Sequence, residues 1–261
     1  MKQRENATPQ LIQIIRRMRL GLHLAAGATT VACLFPLITS RQQSWLNQRW
    51  SRQLLDILAV RLDSQLAGAR SGSLIVANHI SWLDIYALGA TRQMIFVSKA
   101  EVRQWPVIGW LAASAGTIFL RRGSCGHARS VNAQINGLLH ADRDVAIFPE
   151  GTTTDGSHLL NFHGALLQPA VDAGRPIQPV ALSYHEADGS RSLAPAYAGE
   201  TTMHECLKAI LACRRLTVRL RPTPPIESHT RSRRELALAA QCAIADSLGL
   251  PPTSPAQGRR A

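Results

Sequence analysis

From Ser73 onward the chain alternates short apolar runs with stretches of helical periodicity, and this alternation leaves few architectures open. Leu74–Ala77, Met94–Ser98, Thr117–Leu120, Asp144–Phe148, Ile177–Ser183 and Leu216–Leu220 read as strands. Trp82–Ala90, Val107–Ala115, His127–Ala141, Ala165–Ala173, Met203–Cys213 and Arg231–Leu248 read as helices. Strands separated by crossover helices pair in parallel, so the expected fold is α/β, a mixed and mostly parallel sheet flanked by helices. In such sheets functional groups gather on the loops at the strand ends. The 261 residues suffice for one domain of this kind with an appendage. We expect N-terminal membrane-associated helices over 1–66, the α/β domain over 67–250, and a disordered Pro-rich tail over 251–261.

The appendage has its own constraint. No Lys, Arg, Asp or Glu occurs from Leu20 to Ser40, a run whose helical length approaches the ~30 Å of a bilayer core. Arg16, Arg17 and Arg19 precede it, and Arg41, Arg49 and Arg52 follow. Basic residues on both sides give no orientation, so a helix held in one leaflet, with both ends on one face, fits better than a span. His23 and Pro36 point the same way, and no small-residue cleavage site marks a removed signal. Beyond Pro36, Leu46, Trp50, Leu54, Leu58 and Leu62 recur every four residues, with Arg49, Arg52, Gln53 and Asp56 off the stripe. Two readings stand: an amphipathic helix lying in the headgroup layer beside Trp45, or a surface helix packed on its own domain.

The formal net charge of +12, from 29 Lys+Arg against 17 Asp+Glu, suits a phosphate-bearing or acidic partner without choosing among nucleic acid, anionic membrane and acidic protein. Cys33, Cys125, Cys206, Cys213 and Cys242 are odd in number and scattered, which argues for a reducing compartment and against a metal site. We expect them to act as small buried apolar residues.

Asn78-His79 follows directly on the apolar run Leu74–Ala77, so His79 should emerge at a strand end, facing a cleft. Five residues on a helix turn side chains by about 140°, which would separate His79 from Asp84 if both were helical. With Ser81 as N-cap, Asp84 falls in the first turn and a loop histidine folds back toward it. An imidazole oriented by a carboxylate is suited to take a hydroxyl proton during acyl transfer from a thioester to an alcohol. Ser81-x-x-Asp84 is also a capping box, so Asp84 has a purely structural reading as well.

Phe148-Pro149-Glu150-Gly151-Thr152-Thr153-Thr154 follows another predicted strand, and its glycine and hydroxyls suit a phosphate or glycerol hydroxyl. A strand-to-loop turn with self-satisfied threonines is the structural alternative. Gly116–Leu120 ends in Arg121-Arg122, whose guanidinium forks match phosphate oxygens. Two solvated arginines are the plain alternative there.

Four ordered blocks over roughly Ser73 to Val180 resemble the lysophospholipid acyltransferases of the 1-acylglycerol-3-phosphate acyltransferase superfamily. Asn78–Asp84 resembles that family's N-H-x-S-x-x-D block, Gly116–Arg122 its G-x-x-F-x-x-R block, Phe148–Thr152 its F-P-E-G-T block, and Ile177–Val180 its short block ending in Pro-Val. The resemblance implies a glycerolipid acyltransferase fold, with 67–250 as the catalytic domain. It makes His79 the general base and Asp84 its partner. Arg121, Arg122, Glu150, Gly151, Thr152, Asn78 and Ser81 then form the substrate-binding set. It further implies an acyl-CoA or acyl-carrier-protein thioester as co-substrate, no cofactor and no metal. The acceptor would be a membrane lysolipid, foremost 1-acyl-sn-glycerol-3-phosphate giving phosphatidic acid, with the enzyme on the cytoplasmic face of the inner membrane. Thr153-Thr154 stand where many members carry a basic residue, Arg121 where an acidic one is usual, and His163 where Lys is common. These departures open the acceptor to other lysolipids such as lyso-ornithine lipid.

Other function classes draw on less. Ala112-Ala113-Ser114-Ala115-Gly116 is a degraded nucleophile elbow, which would make the chain a serine esterase using Ser114. Nucleic-acid binding rests on net charge alone, without a binding motif or interleaved aromatics. A scaffold without catalysis is opposed by intact His79, Asp84 and Glu150.

Overall fold

The computed structural model describes residues 8–68, 70–121 and 125–251. Its elements in chain order are α1 (Gln10–Thr29), α2 (Ser40–Ile57), β1 (Val60–Ser64), β2 (Leu74–Ala77), α3 (Leu83–Thr91), β3 (Met94–Lys99), α4 (Ile108–Ser114) and β4 (Ile118–Leu120). Then come α5 (Cys125–His140), β5 (Asp144–Ile147), α6 (Gln168–Asp172), β6 (Ile177–His185), α7 (Met203–Ala212), β7 (Leu216–Pro222) and α8 (Arg233–Leu248). The seven strands form one sheet in the order β1-β7-β6-β2-β5-β3-β4. Every neighbouring pair is parallel except β6 and β7. The mixed, mostly parallel α/β sheet expected from the alternation is what forms.

Burial follows the strand period of two. Ile75, Ala77, Val180, Leu182 and Tyr184 face one core with residues of α2, α3 and α7, while Leu74, Val76, Val145, Ile147 and Ala181 face a second core with α5, α6 and α8. β2 and β5 are buried at every position, as strands covered on both faces must be. All six expected strands are present within a residue or two of their predicted ends. The seventh, β1, went unread, because Leu58 and Leu62 continue the four-residue spacing of α2. Instead Ala59 takes φ 55°, breaks the helix, and sends Val60–Ser64 to the sheet edge beside β7. The boundary expected between 66 and 67 is corrected accordingly, since this sheet already contains Val60.

α1 begins at Gln10, ahead of the charge-free run, and runs on through a π turn (Thr30–Leu34) and a 3-10 turn (Phe35–Leu37). Thr29 and Thr30 hydroxyls donate back to the carbonyls of Ala25 and Ala26, and Pro36 lacks an amide hydrogen, which together loosen and then end the helix. The 28-residue helix Gln10–Leu37 is long and apolar enough to cross a bilayer. Both ends of the hairpin it forms with α2 return to the α/β domain. Arg16 donates to the carbonyls of Cys213 and Arg214 just past α7, and Phe35 at the tip is buried. The α2 stripe is not in a headgroup layer: Leu54, Leu55 and Leu58 are core residues and Trp50 packs on Tyr86, so the packed reading holds. It is α1 that presents apolar side chains outward, among them Leu11, Ile14, Met18 and Leu22.

The cysteine expectation needs the same kind of correction. Cys206 is buried and Cys213 partly so, but Cys33 and Cys242 are exposed. The expected tail lies, apart from Pro251, outside the described residues.

Candidate active site

β2 is a central strand, and the chain leaves its C-terminal end at Asn78-His79, the position where parallel sheets open a crevice. His79 lies in the loop and Asp84 in the first turn of α3, and Nδ1 of His79 stands 2.8 Å from Oδ2 of Asp84. The same oxygen accepts the backbone N–H groups of Ile80 at 2.7 Å and Ser81 at 2.9 Å. Ser81 Oγ accepts from the Leu83 amide, although the helix boundary falls at Trp82. Asp84 therefore tethers the start of α3 and orients the histidine with one oxygen. The two readings of Asp84 describe a single arrangement.

Oδ1 of Asp84 accepts the hydroxyl of Tyr184 at 2.7 Å. Tyr184 projects from β6, is buried, and has its pKa pushed well above 10 by that burial and by Asp84. Asp84 is fully buried with four donors on its two oxygens, the condition under which a buried charge is tolerated. With Nδ1 committed, Nε2 of His79 has no protein partner among the described residues, on a side chain 19% exposed. The imidazole lies flat on Phe148, centroids 4.0 Å apart and planes 14° apart, which fixes the ring in the direction Asp84 sets.

Phe148 and Glu150 arrive from the end of β5, the strand beside β2. Glu150 Oε1 accepts the His79 amide at 2.7 Å and Oε2 the Leu160 amide at 2.9 Å. The Thr154 amide donates to the His79 carbonyl at 2.9 Å. The histidine's backbone is thus clamped from both sides by the loop after β5. Burial pushes the Glu150 pKa up to about 7, opposed by the Leu160 and His79 amides and reinforced by nearby Asp84.

The substrate-binding set is only partly gathered at a surface. Thr152 and Arg121 are exposed, Gly151 sits at φ 70° in the turn, and Arg122 lies outside the described residues. Asn78 and Ser81 are fully buried, away from that surface. Asn78 pairs both amide atoms with the backbone of Leu182, tying the end of β2 to β6. Glu150, also buried, touches the backbone of His79 rather than open space. The Ile177–Val180 block lies at the opposite end of β6 from Tyr184, alongside Leu74–Ala77, and is scaffold. Ser114 closes α4 ahead of β4, whereas a nucleophile elbow needs a strand-to-helix turn, so the esterase reading is overturned.

Tyr184 and Phe148 were not read from sequence as site members. A tyrosine at an inward position of a fully buried strand is the only advance signal for Tyr184, since its hydroxyl must find a partner. Ile85 and Tyr86, which follow Asp84, border a mostly apolar cavity of about 320 Å³ enclosed by the N-terminal hairpin, α3, β3 and α4. No sequence spacing announced it, because its walls come from five separate elements.

Comparison with known proteins matches residues 59–183 to the Acyltransferase family model. The chain is 39% identical over 249 residues, 95% of each chain, to a lyso-ornithine lipid O-acyltransferase of Pseudomonas aeruginosa. It is 39% identical over 150 residues, 58% of each chain, to a 1-acyl-sn-glycerol-3-phosphate acyltransferase of Neisseria meningitidis serogroup B. The crystal structure of the 1-acyl-sn-glycerophosphate acyltransferase PlsC from Thermotoga maritima matches with a TM-score of 0.67 and 16% identity, covering 92% of this chain and 95% of that one.

Proposed function

The chain belongs to the acyltransferase family of these relatives, and from that premise we propose that His79 is the general base of an O-acyl transfer to the free hydroxyl of a lysolipid. The observation that carries this reading is the His79–Asp84 pair, with Nδ1 held and Nε2 left at the rim of the site. Nε2 takes the acceptor's hydroxyl proton as its oxygen attacks the carbonyl of a fatty acyl thioester. The tetrahedral intermediate collapses with breakage of the C–S bond, and the imidazolium returns the proton to the leaving thiolate. Asp84 stabilises the imidazolium while it exists. No enzyme nucleophile and no cofactor enter this scheme. The donor is acyl-CoA or an acylated carrier protein, and the exposed Thr152 and Arg121 bind the acceptor's head, a role Arg122 shares by its place in the second block. Glu150, Asn78 and Ser81 hold the loop that carries His79.

For the acceptor, lysophosphatidic acid follows from the site blocks and the Neisseria relative. A second reading, lyso-ornithine lipid, is favoured by the relative that matches over the full length, N-terminal helices included. The same reading places the enzyme on the cytoplasmic face of the inner membrane, in one leaflet. Its single-leaflet part is supported by the buried Phe35, which ties the hairpin back to the domain, and by the outward apolar face of α1. Detergent-purified protein assayed with coenzyme A and carrier-protein donors against both lysolipids tests it, and activity unchanged in His79→Ala would sink the mechanism.

A further inference from the structure

Across the cavity from the N-terminal hairpin, the segment ahead of α4 and the first turn of α4 expose Trp105 (41%), Val107 (52%) and Trp110 (44%) within six residues. Isolated exposed apolar residues need no explanation, but two indoles and a valine on one short turn do. No charged residue occurs from Gln104 to Leu120, and Arg103, which precedes this stretch, places its guanidinium 5.6 Å over the Phe119 ring.

The turn keeps its backbone donors to itself. The Trp105 amide donates to Val102 at 3.1 Å, Ile108 to Pro106 at 2.6 Å, Gly109 to Trp105 at 2.9 Å and Leu111 to Val107 at 2.9 Å, while Pro106 has no amide hydrogen. That internal satisfaction is what an environment poor in water demands. Val107 sits at φ 62°, ψ −55°, the rarer and strained hand of γ-turn, in which a β-branched residue is an outlier. Gly109 fixes the turn from behind, since a Cβ there would lie 2.3 Å from the carbonyl oxygen of Arg103. Ile108 and Leu111 of the same turn line the cavity, whose other wall includes Val31 and Phe35. Next to those, Leu34 and Leu37 are exposed. Exposed apolar groups therefore border one cavity on both sides.

We infer that the Trp105–Trp110 turn is a second lipid-contacting element, seated in the headgroup layer of an anionic bilayer opposite the N-terminal hairpin. Indoles prefer that layer, and Arg103 at its edge suits anionic headgroups. The inference rests on the membrane-association reading and says which further surface makes the contact.

The test uses full-length protein and vesicles of phosphatidylethanolamine and phosphatidylglycerol, part of the latter brominated on its acyl chains. Brominated lipid should quench wild-type tryptophan emission, and Trp105→Phe/Trp110→Phe should lose a clear part of the quenched component while keeping its fold, the remainder coming from the exposed Trp45 of the hairpin. In flotation, Trp105→Glu and Trp110→Glu should each weaken vesicle binding by about tenfold or more, because binding follows the apolar area buried in the interface. Turnover of a water-soluble short-chain substrate pair should stay at the wild-type level. Leu22→Glu on α1 serves as the independent anchor variant. If wild type and Leu22→Glu behave as anchored and weakened protein but the Trp105 and Trp110 variants keep wild-type quenching and flotation, this inference fails alone. If wild type does not float, the membrane-association reading fails with it.

Discussion

Asp84→Asn separates the two things a carboxylate does for a histidine, because the structure dictates how the amide must sit. The two backbone amides of Ile80 and Ser81 point at Oδ2, so the variant's single carbonyl oxygen has to occupy that position. Its NH2 group then faces Tyr184, whose hydroxyl can turn from donor to acceptor. Nδ1 of His79 still meets an oxygen, so the tautomer and ring direction survive. What is lost is the negative charge opposite the imidazolium. Exchanging a charge-assisted hydrogen bond, worth about 1.5–3 kcal/mol, for a neutral one, worth about 0.5–1.5, removes about 1–1.5 kcal/mol from the transition state, or about 5- to 13-fold in kcat. KM for either substrate should move little, and the melting temperature should fall only slightly. Asp84→Ala, by contrast, strands two amides and a hydroxyl in a fully buried site, and should destabilise the fold by about 3–5 kcal/mol. Steady-state kinetics and thermal melts in one detergent decide the matter. A loss below about threefold in Asp84→Asn would reduce Asp84 to a helix cap. A loss equal to that of His79→Ala would mean that the amide does not hold the ring and tautomer as this geometry requires.

Three further outcomes follow from the same geometry. His79→Ala should cut kcat by about 10²- to 10⁴-fold with the fold retained, since Asp84 keeps three donors and the backbone clamp at residue 79 stays. Tyr184→Phe leaves Asp84 Oδ1 without its donor and should cost about 1–2 kcal/mol in chemical denaturation, with a smaller effect on kcat than Asp84→Asn. Glu150 has a folded pKa raised to about 7 from 4.5, so between those values the folded chain holds a proton that the unfolded chain has released. Its contribution is fully present below about pH 4.5 and is lost as pH rises through 7, up to about 3 kcal/mol. Melting curves from pH 4 to 8 should show this slope in wild type and a flatter one in Glu150→Gln.

What was legible in the sequence was whatever depends on neighbours in the chain. Strand-end placement of His79 and first-turn placement of Asp84 came from spacing alone, because the apolar run before His79 and the capping serine after it are local signals. The edge strand β1 was missed for a local reason too: the helical period outlasted the helix, and Ala59 at positive φ is not a residue that marks such a turn. Tyr184 reaches Asp84, and Phe148 reaches His79, only because β6 and β5 flank β2, an order no periodicity reveals. The clamp by Glu150 belongs to the same class, as its partners lie 71 and 10 residues away. Local signals thus placed the histidine, and sheet order supplied the groups that hold it still. A histidine on a loop is ordinarily mobile, and this one is made rigid by contacts from the first turn of α3 and from the segment after β5. That is why the largest catalytic losses are expected at His79 and Asp84, and why Tyr184 should register first in stability.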